Sequence, residues 1–179
     1  MPKKSGSATE STNWSNCKGA DTIRIFIIQL VIALLTITAS ATATTFSANA
    51  ILGVWEVADA TGRIEIFPCG DKYCGKIIWI KEATYPSGDP GGMAGKPLLD
   101  RENPKKELRN RPQLGLEIMD GYTYSSENLW TGGRIYNTEN GKTYSSRIKL
   151  LSLDRLELRG YIGIPLLGGS TVWKRIRQK

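Results

Sequence analysis

From Gly53 onward, apolar and polar positions alternate in short runs with a period of two, and Gly, Asn or Asp interrupt the runs at intervals. This is the pattern of half-buried strands separated by tight turns. Strands are expected at 53–58 (GVWEVA), 62–68 (GRIEIFP), 74–82 (CGKIIWIKE), 115–121 (GLEIMDG), 129–136 (LWTGGRIY), 142–151 (KTYSSRIKLL), 155–161 (RLELRGY) and 170–177 (STVWKRIR). Thr61-Gly62, the Cys-bounded GDKY segment, Asn140-Gly141 and Leu153-Asp154-Arg155 supply the turn chemistry between them. No long helical periodicity competes. Eight hairpin-connected strands with no helix to cover a sheet face most simply close on themselves, because closure removes exposed edges. The expected fold is therefore all-β, a small antiparallel eight-stranded barrel. At that size the interior is either filled by side chains or holds one small ligand. An outer-membrane barrel fits less well, since most of these runs are short and carry Lys, Arg or Glu on at least one face.

Residues 83–113 break the rhythm. They hold Pro86, Pro90, Pro97, Pro104 and Pro112 and a Gly-Asp-Pro-Gly-Gly segment, so a long loop is expected, of the length that usually carries function or disorder. Asp100, Glu102, Asn103, Arg109 and Arg111 gather its charge near the entry to the next strand. Two readings fit them. Asp100 and Asn103 cap a turn while Arg109 or Arg111 pairs with a carboxylate to dock the loop, or the group forms part of a binding site.

The residues before the strands have a different character. Lys3, Lys4, Lys18 and Arg24 precede the apolar run Ile25–Thr38, and Ala41-Thr42-Ala43 follows with small residues at peptidase spacing. Together these describe a signal peptide over 1–43, with Ala48-Asn49-Ala50 as an alternative cleavage site and a single barrel domain over 51–177. The apolar stretch is short for a membrane span and contains Gln29. A periplasmic or secreted location is expected. Removing residues 1–43 takes away four basic and two acidic groups, so the formal charge of +7 becomes +7 − 4 + 2 = +5. The remaining charges are scattered, which suits a solvated mixed surface and gives no reason to expect nucleic acid. The basic tail KRIRQK reads as frayed and solvated, or as a weak contact with an anionic envelope surface.

Cys17 falls in the leader, leaving Cys69 and Cys74 as an even pair in an exported chain, which favours a disulfide across a hairpin mouth. So short a loop is worth roughly 2 kcal/mol. A zinc site would need two more ligands, and the chain has no His. The same absence removes Ser-His and Cys-His nucleophile pairs. Asp100 with Glu102, and Glu117 with Asp120, are the nearest approach to paired carboxylates, and neither spacing demands chemistry. A non-enzymatic protein without cofactor is expected. Trp55, Trp79, Trp130 and Trp173 read as core residues or as the lining of a ligand cavity, with Trp55 and Trp173 neighbours if the barrel closes. Tyr136, Tyr144, Arg147, Arg159 and Arg175 either place polar groups inside such a cavity, one Arg meeting an anionic head group, or form an exposed alternating face.

GVWEVAD with CGKIIWI, DRENPKKELRNRPQLGLEIMDGY, LWTGGRIYNTENGKTYSSRIKL, LELRGYIG and TVWKRI resemble, in order, the exported bacterial proteins grouped as domain of unknown function 2147 (DUF2147). The resemblance spans residues 51–176 and implies a lipocalin-like barrel, periplasmic or secreted, with no established activity. The family pattern includes a second Cys pair near the last hairpin, where this chain has Tyr161 and Leu167-Gly168-Gly169. The resemblance therefore implies a looser last hairpin here. Asn137-Thr138 stands where the family pattern has Asp-Pro, a change that touches only turn stiffness. Two functions fit the whole: a barrel holding a small apolar or amphipathic ligand with the 83–113 loop as lid or rim, or a filled barrel whose loop docks a protein or envelope component.

Overall fold

The computed structural model describes residues 45–177; the signal peptide expected over 1–43 lies outside the described residues. Eight strands follow in order: β1 (Gly53–Glu56), β2 (Gly62–Cys69), β3 (Lys72–Ile80), β4 (Glu117–Ser126), β5 (Leu129–Asn137), β6 (Lys142–Ser152), β7 (Arg155–Tyr161) and β8 (Gly169–Ile176). Each pairs antiparallel with its sequence neighbour, and β1 pairs with β8 to close the barrel.

Alternation decides which side chains point inward. In β2, Ile64 and Ile66 enter the core while Arg63 and Glu65 face out; in β6, Ser146, Ile148 and Leu150 enter; in β7, Leu156 and Leu158 do. Trp55, Met119, Tyr122, Trp130 and Trp173 complete the core. Trp55 lies opposite Arg175, so Trp173 is its diagonal neighbour across the closing seam.

Most strand ends fall within two residues of expectation, and one departs further. Gly121 reads as the end of β4, yet the strand runs on to Ser126. Gly121 (φ +80°) and Gly132 (φ +74°) face each other between the Asp120–Arg134 and Thr123–Thr131 pairs. The glycines bend the two strands together without ending either. That bend lays the Tyr122 ring against Gly133, where any Cβ would overlap it. The hairpin then turns at Glu127-Asn128, both at positive φ (50° and 64°). This is a two-residue turn with neither Gly nor Asp to announce it.

The barrel has two unlike ends. At one, residues 45–52 cross beneath the strands. Trp130 donates its indole N–H to Ala48 O (3.1 Å), Trp55 to Ile51 O (2.8 Å), and Tyr124 its hydroxyl to Phe46 O (3.0 Å). Arg175 reaches inward at the same end, donating to Leu52 O (2.6 Å) and Ala50 O, and lies over the Trp55 ring at 4.1 Å. The Cys69–Cys74 disulfide clips the β2–β3 hairpin here. The opposite end carries the β1–β2, β5–β6 and β7–β8 connections and the long segment 81–116 between β3 and β4. We call it the mouth.

Candidate functional site: the barrel mouth

Above the filled lower half, the barrel opens into two adjoining clefts. One, about 280 Å³, is lined by Ile118, Ile135, Tyr136, Tyr144 and Trp173 among others. The second, about 320 Å³, is lined by Ile77, Ile80, Leu98 and Gln113 among others. Val57, Ile64, Thr138 and Glu139 border both. The lining is mainly aliphatic and aromatic, with a polar edge on the β5–β6 turn made by Asn137, Thr138 and Glu139. Among the described residues Glu139 is the sole charged one on either cleft. Leu98 and Gln113 come from the long loop, which therefore forms part of the rim.

A buried polar cluster holds that rim in place. The fully buried Asp100 carboxylate accepts from Arg111 Nε (2.9 Å) and Nη2 (2.8 Å), from Asn103 Nδ2 (2.8 Å) and from the Tyr136 hydroxyl (2.6 Å). Arg109 donates to Asn103 O (2.6 Å). Burial, and then donation to Asp100, pushes the Tyr136 phenol up to about 12. The cluster ties loop to barrel, because Tyr136 stands on β5 while its partners come from the loop. Gly141 adds a second tie: it packs against the backbone of Glu102, in space a Cβ would occupy, at φ +67°. Farther out, Arg101 makes two hydrogen bonds to Asp89 (2.9 and 3.1 Å) and lies 4.0 Å above the Tyr85 ring, and Tyr85 accepts from Leu99 N (3.0 Å). The Arg101 guanidinium holds the Asp89 carboxyl below its ordinary value.

The sequence-derived candidates distribute unevenly. Tyr136, Tyr144 and Trp173 line the mouth; Trp55 and Trp130 are core, with Trp130 serving the closed end. Trp79 belongs to neither, because an odd register step places it on the outer wall, 4.5 Å from Arg63. Asp100, Asn103, Arg109 and Arg111 dock the loop beside the clefts and do not line them. Among the described residues no Arg lines the mouth clefts, so the exposed-face reading holds for Arg147 and Arg159. Arg147 and Arg159 alternate outward from β6 and β7, and Arg175 points inward at the closed end. In the basic tail, Arg177 pairs with Asp154 (2.6 Å). Of the carboxylate pairs, Asp120 is held by Arg134 on the outer surface (3.0 Å) and Glu102 leaves Asp100 to Arg111. Among the described residues no group of three or more His, Cys, Asp or Glu is placed to hold a metal. Val57, Ile118, Ile135 and Glu139 escape a reading by residue type. Val57 and Ile135 continue the inward alternation at the mouth end of β1 and β5, visible only once the direction of each strand is known, whereas Ile118 sits at a register shift and Glu139 on the β5–β6 turn.

The model of the family described as "uncharacterized protein conserved in bacteria (DUF2147)" matches residues 53–175. The chain belongs to the DUF2147 family. The solved structure of protein HP1028 from Helicobacter pylori, described as belonging to the lipocalin family, is similar in fold. It shares 22% identity, with a TM-score of 0.59 over 71% of this chain and 83% of that one. No curated protein matches this sequence. The lipocalin-like barrel that the DUF2147 resemblance implied is thus found in the strand order and in a solved neighbour.

Proposed function

We propose that this DUF2147 protein is an exported, non-enzymatic binding barrel whose mouth takes a small apolar or amphipathic molecule, with segment 81–116 as its rim. The observation that carries this reading is the pair of adjoining apolar clefts above a filled lower barrel. A mouth of this volume suits a small ligand. The lipocalin-family description of HP1028 agrees with it. With Glu139 as the lone charge, a bound amphiphile would present a neutral or cationic head group to the β5–β6 turn, in place of the anionic one an interior Arg would favour. Export rests on the leader pattern, and the bonds made by Phe46, Ala48, Asn49 and Ala50 favour cleavage after Ala43, since cleavage after Ala50 would discard them.

The test is titration with the neutral fluorescent probe N-phenyl-1-naphthylamine. Binding by the parent and its loss in Val57→Trp, which fills the border of both clefts, would support the reading. Equal binding by the two would sink it. The second reading, a protein-docking module, draws on the filled lower half and the pinned loop. It would gain if the parent bound no probe and the 81–116 loop retained a protein from the cell envelope.

A further inference from the structure

The β7–β8 connection carries Ile162 (70% exposed), Ile164 (55%), Leu166 (81%) and Leu167 (75%) at the mouth end of the barrel. Four large aliphatics within six residues form a cluster, unlike the single exposed apolar residues any surface has. The connection is also shaped in advance. Arg159 donates to Pro165 O (2.7 Å), Leu166 O (3.3 Å) and Ser170 Oγ (3.0 Å), while Leu167 N and Gly168 N close a short 3₁₀ turn at Pro165–Leu167. These bonds tie the hairpin that lacks the family's second Cys pair. The prong therefore needs little further ordering to make contact.

Its base is positively charged. Arg159 has only uncharged partners, and Arg147 stands directly opposite it across the β6–β7 ladder, facing outward. Among the described residues neither guanidinium has a carboxylate within ion-pair distance. Arg147 borders an outer-wall cleft with Glu127 and Lys149 toward the closed end, so Arg159 is the cation that stands with the prong. Guanidinium groups are well matched to phosphate oxygens.

We infer that the β7–β8 prong docks the protein on a phospholipid surface rich in anionic head groups, with the aliphatic tip in the acyl boundary and Arg159 at the phosphates. The tip is convex and purely aliphatic, without the aromatic or Arg anchors that centre most protein interfaces. An acyl phase requires no matching shape, and it rewards buried apolar area together with basic charge. The inference does not rest on the binding reading of the mouth, although a prong at that end would bring the clefts near a source of apolar molecules.

The test uses the unit Thr44–Lys179, which contains the whole closed barrel, its core and its plug. It is floated with vesicles of phosphatidylcholine and phosphatidylglycerol, and with phosphatidylcholine alone. The parent should bind the anionic vesicles more strongly. The triple variant Ile164→Ser/Leu166→Ser/Leu167→Ser should lose at least about tenfold in affinity. Leu151→Ser/Leu153→Ser, which alters exposed leucines of the β6–β7 turn at the closed end, should bind like the parent. All of these positions are solvent-facing, and circular dichroism checks that each variant is folded. A parent that binds neither vesicle would overturn the inference, as would equal loss in the closed-end variant. Prong-dependent self-association in place of vesicle binding would assign the surface to a second copy of the chain and overturn it as well.

Discussion

The two ends of this barrel are built from similar residue types and do opposite things. At the closed end, Trp130 and Trp55 are fully buried and donate to the 45–52 segment, and Arg175 spans from Trp55 to two backbone carbonyls of that segment. At the mouth, isoleucines and Trp173 line open clefts, and the overlying loop is fixed from the side by Asp100. The difference lies in where the polar partners sit. Below, they are directly beneath the aromatic rings and draw the chain across the opening. Above, they are set into the rim and hold the loop beside the opening. Stability is therefore concentrated below and accessibility above.

Substitutions at each end should separate these roles. The largest loss is expected for Trp130→Ala, about 3–5 kcal/mol in denaturant unfolding, since it empties a buried site and strands Ala48 O. A mouth truncation such as Ile135→Ala should cost about half of that or less. Parity between the two would erase the contrast. Next comes Asp100→Asn, about 2 kcal/mol, through loss of charge-assisted bonds to a half-exposed Arg111. It should also raise amide exchange across 98–113 while leaving the 45–52 segment protected. Gly141→Ala should follow at about 1–2 kcal/mol, with the same exchange signature, because its Cβ meets the Glu102 backbone and its φ is positive.

The smallest effect is a titration. Tyr136 is raised above its ordinary 10 to about 12, so its contribution is fully present below pH 10 and is lost as the pH rises through the folded value. Between those values the loop should loosen in the parent. Tyr136→Phe should lack that share of the alkaline change, and phenolate absorbance of the two proteins gives the comparison. If the phenol missing from Tyr136→Phe titrates near the ordinary 10, Tyr136 is removed from the docking cluster.

Strand number, order and most boundaries were legible because inward residues alternate so regularly in β2, β6 and β7. The extension of β4 was not, since Gly121 marks a bend only when Gly132 stands across from it, a relation set by register. That Arg109 or Arg111 pairs with a carboxylate to dock the loop could be read from its composition, but not the partner on the barrel, Tyr136, which lies 36 residues from Asp100. Trp79 shows the reverse error. A large aromatic in an apolar run reads as interior, and a register shift between Arg63 and Ile64 leaves it outside, where Arg63 covers it. The plug at 45–52 was hidden by its proximity to the leader, where small residues read as processing signals.

Whether the mouth is a binding site is decided by native mass spectrometry of the protein taken from its native host, followed by organic extraction. A stoichiometric small molecule with an apolar body and a neutral or cationic head, absent from Val57→Trp, is expected. A clean apo mass in repeated preparations, with no probe binding, would contradict the binding reading.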